Sequence, residues 1–236
     1  METLLPTEGQ CIAGKILKSK TDRESSQRSK SMKKYALTGG IGMGKSAAAN
    51  FFSQEGIPLL DSDDLAREVV APGQEGWIRL VDCYGDNILL PDRTLDRKKV
   101  AEIVFKEEKE RRFLESVLHP LIRQRWQKWA LELEAKGESL CMVVVPLLFE
   151  SHLEADFDGV ICLVTDPEIQ LRRLQDRGMD LEDIQARIAA QWPIEKKISR
   201  SNLLLPNNGS LEELSAQVRI LAADLRKSAE IVENRI

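Results

Sequence analysis

The sequence predicts an α/β protein built on a parallel sheet, with one helical insertion. Three observations carry that prediction. A short apolar stretch at 35–38 is followed by a glycine-rich turn, a helical pattern and a second apolar run at 57–61, which is the strand, turn, helix, strand order of a parallel βαβ unit. Between Gln74 and Lys136 no further convincing strand appears. The apolar runs LCMVVV at 140–145 and GVICLV at 159–164 then resume the strand pattern, and unbroken runs of that length suit strands covered on both faces.

Taken in order, Tyr35 to Thr38 forms the first strand, and Lys45 to Gln54 a helix with Phe51 and Phe52 for packing, stopped by Gly56. IPLLD at 57–61 is the second strand, followed by a helix over about 63–70 and a break at APG, 71–73. The insertion holds a short helix near 77–84, a capped helix at 94–105 and a longer one over about 106–134, which Pro120 is expected to restart because it cannot donate to the preceding turn. After the strands at 140–145 and 159–164 come helices at about 167–176 and 180–191, a last short strand at 202–205, and a closing helix over 210–228 capped by Ser210 with Glu213 three residues on.

A chain of 236 residues can bury a substantial core, and one α/β domain with an insertion is the cheapest reading of it. Net charge −4 and a pI near 5.5 give no basic footprint for nucleic acid. The longest mostly apolar run, Leu140 to Phe149, contains Pro146 and is far short of a membrane span. Cys11, Cys83, Cys141 and Cys162 are scattered, with no CxxC pair and no histidine at metal-ligand spacing; they read as thiols of a reducing compartment, and a cytoplasmic location is expected. Residues 1–31 mingle charges with five serines between Ser19 and Ser31 and are expected to be a disordered extension, dispensable to the domain that begins at Met32.

Gly39, Gly44, Lys45 and Ser46 satisfy G-x-x-x-x-G-K-[ST] after a strand and at a helix start. Glycines let the backbone curl until several N–H groups face one point, and the helix N-terminus adds partial positive charge there. Lys45 is expected to reach the β- and γ-phosphates of a nucleoside triphosphate, and Ser46 to bind Mg²⁺. The turn alone does not name the reaction, since GTPases, motors and small-molecule kinases share it. No Asn-Lys-x-Asp motif appears, and the strand at 140–145 runs into Pro146 where a motor usually carries an aspartate.

The second strand runs into Asp61, Ser62, Asp63 and Asp64, and in a parallel sheet ligands collect at the carboxyl ends of the strands. If the chain stays extended through Ser62, Asp61 and Asp63 point to one side, where one of them could orient Mg²⁺ or take a proton from an alcohol. Helix capping is the competing role, and Asp64 is assigned to it. Arg173 and Arg177, four apart, form a strip one helix face wide, suited to a lid that neutralises a transferring phosphate or, more plainly, to a solvated face paired with Glu168 and Asp176.

Together the stretches LTGGIGMGKS, DSDDLAREVVAPG, HPLI at 119–122, VVPLLFE at 144–150, QLRRLQDR at 170–177, ARIAAQWP at 186–193 and NNGSLEEL at 207–214 resemble the dephospho-coenzyme A kinase family, from about Lys34 to Val218. The resemblance implies a P-loop kinase fold with a central parallel five-stranded sheet flanked by helices, a core over 32–72 and 138–236, a helical CoA-binding insertion at about 73–137, and a lid at about 166–196. It implies ATP and Mg²⁺ as cofactors, dephospho-coenzyme A as substrate, and a monomer or weak homo-oligomer. It places Asp63 as catalytic base with Lys45 and Arg173 beside it. The nucleotide is assigned to Gly40, Gly42, Met43, Gly44, Lys45, Ser46 and Ala47, to the lid residues Arg173 and Arg177, and to Asn208; the acceptor to Asp63, His119, Pro146, Leu147 and Glu150. Ala47, Gly178 and Pro206 depart from the family's pattern. The four tryptophans are read as packing residues. A nucleoside monophosphate kinase-like phosphotransferase is the rival reading, and a nucleotide-binding regulator without transfer is a further one.

Overall fold

The computed structural model of the chain describes residues 32–231; the extension expected at 1–31, Cys11 included, lies outside the described residues. The sheet comprises β1 (Lys33–Gly39), β2 (Leu59–Asp61), β3 (Leu140–Val144), β4 (Gly159–Val164) and β5 (Leu203–Pro206). Their order is β2-β3-β1-β4-β5 and all four pairings are parallel. β1 is central, and the chain goes from it first to one flank and later to the other. Its carboxyl end therefore faces the crevice between β3 and β4, the switch point where open parallel sheets bind ligands.

Successive strand residues point to opposite faces, and both faces are covered. Leu37, Met142, Val144, Ile161 and Leu163 pack with Phe52 of α1 (Lys45–Gln54) and with Val218, Ala222 and Leu225 of α9 (Leu211–Ile231). Ala36, Cys141, Val143 and Val160 pack on the other side with Leu65 of α2 (Ser62–Glu68) and with Trp126 and Ala130 of α5 (Glu108–Ala135). Both cysteines of the sheet, Cys141 and Cys162, are buried free thiols.

The insertion contains α3 (Glu75–Tyr84), a single 3₁₀ turn at Gly85–Ile88, α4 (Arg97–Lys106) and α5. α5 runs unbroken through Pro120, where the sequence predicted a restart. Proline in a helix interior costs about 3 kcal/mol. Around it Val117 and Leu121 pack against Val69 at the end of α2, and Trp126 enters the main core; burial of such side chains contributes roughly 1.5–3 kcal/mol each, which outweighs the local loss. α4 starts three residues later than the sequence indicated, with the Asp96 carboxylate accepting from the Lys99 N–H at 3.2 Å. Before it, Leu89 and Leu95 form an isolated antiparallel bridge that the sequence did not reveal.

After β4 come α6 (Pro167–Gln175), α7 (Leu181–Ala189) and α8 (Ile194–Arg200). The last was not foreseen, although Pro193 just before it is a usual start signal. The capping box of α9 is formed as expected: the Ser210 N–H donates to Glu213 Oε2 at 3.0 Å and the Glu213 N–H to Ser210 Oγ at 3.2 Å. Among the described residues no helix is long and apolar enough to cross a membrane.

Candidate active site

The turn after β1 is fixed by its neighbours as well as by its glycines. Gly42 (φ 76°) and Gly44 (φ 96°) adopt left-handed backbone, which costs other residues steric strain. A Cβ on Gly42 would stand 2.9 Å from Leu174 Cγ, and one on Gly44 would run into the Asn207 amide. The loop's outward groups are tied off. The Ile41 N–H donates to Gln191 Oε1 at 3.1 Å, and the Met43 carbonyl accepts from Asn207 Nδ2 at 2.9 Å and from Thr165 Oγ1 at 3.3 Å. Met43 folds its sulfur back over the Gly40 N–H at 3.2 Å. No side chain caps α1, so the first-turn N–H groups of Lys45, Ser46 and Ala47, together with the helix dipole, can serve an anion.

Lys45 Nζ donates to the carbonyls of Gly39 and Gly40, each at 2.9 Å. Burial first, and then the neighbouring charge of Lys197, push its ammonium down to about 8, while Asp63 and Asp61 pull the other way. Ser46 is exposed on the first turn of the helix.

The chain does not stay extended through Ser62. α2 begins there, and the Asp61 carboxylate caps it by accepting from the Asp63 N–H at 2.9 Å. Capping therefore falls to Asp61, whose carboxyl is raised chiefly by burial; Asp64 is exposed and pairs with Arg67. Asp63, His119, Pro146 and Leu147 line one cleft, together with residues the sequence did not single out for this role: Ser62, Arg123 and Phe157. Trp126, read as packing, is buried in the core and also lines the cleft, stacked on Phe157 with centroids 5.1 Å apart.

Glu150 is not on the cleft wall. Its Oε1 accepts from Lys197 Nζ at 2.8 Å and from the Trp192 N–H at 2.8 Å. Lys197 is fully buried and also donates to the Pro146 carbonyl at 3.2 Å. No sequence pattern flags such a lysine, because it sits in an otherwise ordinary amphipathic stretch.

The two arginines expected to share a lid face, Arg173 and Arg177, part company. Arg173 turns inward from α6, with Nη1 3.5 Å from Thr165 Oγ1 and Nη2 3.5 Å from Asn207 Oδ1; burial and the charges of Arg172 and Arg177 lower its affinity for its proton. Arg177 lies beyond the helix end and is exposed. Among the described residues neither pairs with a carboxylate, so the alternative of a face paired with Glu168 and Asp176 is not what forms. Asn208 holds the start of α6 by accepting from the Asp166 N–H at 2.8 Å. The neighbouring Asn207, 4% exposed, is the one that touches the cradle.

A family model described as dephospho-CoA kinase matches residues 35–213. A dephospho-CoA kinase of Geobacillus kaustophilus is 39% identical over 183 residues, 77% of this chain and 91% of that protein. One from Thermosynechococcus vestitus is 42% identical over 184 residues, 77% and 89% of the two chains. A crystal structure from Thermus thermophilus superposes with a TM-score of 0.70 at 33% identity, covering 84% of this chain and 98% of the other. The family match spans the glycine turn, the Asp63 helix and the helical insertion, and the chain belongs to the dephospho-CoA kinase family.

Proposed function

We propose that the chain transfers the γ-phosphoryl group of ATP to the ribose 3′-hydroxyl of dephospho-coenzyme A, giving coenzyme A and ADP, the last step of coenzyme A biosynthesis. Family membership supports the reaction. The observation that carries the residue roles is the position of Asp63, which lines the cleft with His119, Pro146 and Leu147 at the start of the helix that follows β2. The Asp63 carboxylate takes the proton of the attacking hydroxyl as the bond to phosphorus forms. Lys45 and the amides of 42–47 hold the β- and γ-phosphates, and Arg173 neutralises charge that builds up during transfer. In the same cleft Ile122, Trp126, Leu153 and Phe157 make an apolar wall, with the Arg123 guanidinium available to the acceptor's diphosphate.

The donor set fits magnesium. The Ser46 hydroxyl and the carboxylates of Asp61 and Asp63 are hard oxygens of the kind magnesium takes. When bound, the ion supplies charge neutralisation at the β- and γ-oxygens. We further assign 32–72 and 138–236 to the core, about 73–137 to acceptor binding, and about 166–196 to a lid.

A coupled ADP-release assay comparing dephospho-coenzyme A, AMP, pantothenate and no acceptor tests the reading. Turnover is expected with dephospho-coenzyme A. Turnover with AMP alone would convert the assignment to a nucleoside monophosphate kinase, whose acceptor needs no base; ADP release without acceptor would mean an ATPase, and no release in any arm a regulator.

A further inference from the structure

Lys197 is the fully buried cation of the described structure, and taking such a charge out of water costs several kcal/mol unless it is paired and hydrogen-bonded. A structural need for volume at that place would be met by an apolar residue at least as well. What the lysine does instead is join three walls of the site. Its Nζ holds Glu150 at 2.8 Å and the Pro146 carbonyl at 3.2 Å, so it ties both ends of the 146–150 turn that follows β3. The same Pro146 carbonyl accepts from Thr38 Oγ1 at 3.3 Å, one residue before the cradle begins. The same Glu150 oxygen accepts from the Trp192 N–H at 2.8 Å, while the residue before it, Gln191, accepts from the Ile41 N–H of the cradle at 3.1 Å. The acceptor wall (Pro146, Leu147), the phosphate turn (Thr38, Ile41) and the root of the lid (Gln191, Trp192) therefore meet through one ammonium and one carboxylate. Glu150 Oε2 is buried without a partner, a cost that an apolar turn would not carry.

We propose that Lys197, with Glu150, is a positioning residue for phosphoryl transfer: it holds the acceptor wall in register with the phosphate cradle while the lid root is bonded to both. Lys197, fully buried, acts by holding Pro146 and Glu150, and its charge also bears on Lys45. The inference rests on the kinase reading above.

The deciding variant is Lys197→Met/Glu150→Gln, which removes both charges, leaves none unpaired and keeps an acceptor for the Trp192 N–H. Its kcat is expected to fall about 30-fold, the scale of a reacting group displaced by part of an ångström. MgATP affinity by calorimetry should stay within about threefold and the melting temperature should stay near that of the unaltered chain, because the cradle's own bonds remain and the buried pair contributes little net stability. A kcat within threefold of the unaltered chain would overturn the proposal, as would ATP affinity lost in proportion to kcat. If that variant does not fold, Glu150→Asp decides: the carboxylate, one methylene shorter, cannot reach both Lys197 and Trp192. A tenfold or greater fall in kcat at unchanged ATP affinity supports positioning, and unchanged kcat overturns it. An unaltered chain inactive on dephospho-coenzyme A would instead strike the kinase reading itself.

Discussion

The glycine turn after β1 and the cleft that Asp63 lines are built in opposite ways. The cradle is backbone: six consecutive residues whose path is fixed by glycine conformation and by Asn207, Leu174 and Gln191 pressing from outside. The cleft is side chain: Asp63 from α2, His119 and Arg123 from α5, Pro146 and Leu147 after β3. Backbone amides recognise any phosphate, so the first region can be shared by enzymes with many acceptors. Side chains from distant elements recognise one shape, so on the proposed reading the second region carries the choice of acceptor.

The two regions should separate experimentally. Lys45→Met removes the cradle's side-chain charge, and kcat should fall about 10³-fold whatever acceptor is offered, the upper scale for loss of one preorganised electrostatic group; an acceptor-dependent loss would break the division. Asp63→Asn should lower kcat about 10²-fold while MgATP affinity, read by calorimetry, hardly moves. A parallel loss of ATP affinity would show that Asp63 serves the cradle.

The pH dependence sharpens the cradle's side. Lys45 is held down to about 8 in the free protein, and it must be charged to hold phosphate. ATP affinity should be full well below pH 8 and fall as the pH rises through it. In Lys45→Arg the profile should be flat over that window, because arginine stays charged. Outside both regions, Ser210→Ala removes a helix cap and should cost about 1 kcal/mol in denaturant unfolding with kcat unchanged. A change in kcat there would mean that α9 bears on the site.

Legibility follows the same line between local and distant. The cradle could be read from eight residues because strand, turn and helix start are contiguous. From the residues alone Asp63 could be placed only as one of two acids, with Asp61, and the resemblance to the family was needed to single it out. Its extended setting was wrong, because the cap made by Asp61 starts α2 at Ser62, and a cap is decided by backbone angles that a run of acids does not specify. Pro120 misled for the converse reason: its local cost is real, but the packing that overrides it comes from Val69, far away in sequence.

By itself the sequence determined the parallel sheet, the glycine turn, the capping box and the family, since each rests on spacing within a few turns of chain or on motifs in fixed order. Tertiary structure alone decided that Asn207 rather than Asn208 braces the cradle, that Arg173 and Arg177 part, and that Glu150 turns away from the cleft to meet a buried Lys197. Those outcomes depend on which side chains share a water-free space. Burial changes the free energy of a charge by kcal/mol, and it is a property of the folded neighbourhood, which no residue's own position in the chain reveals.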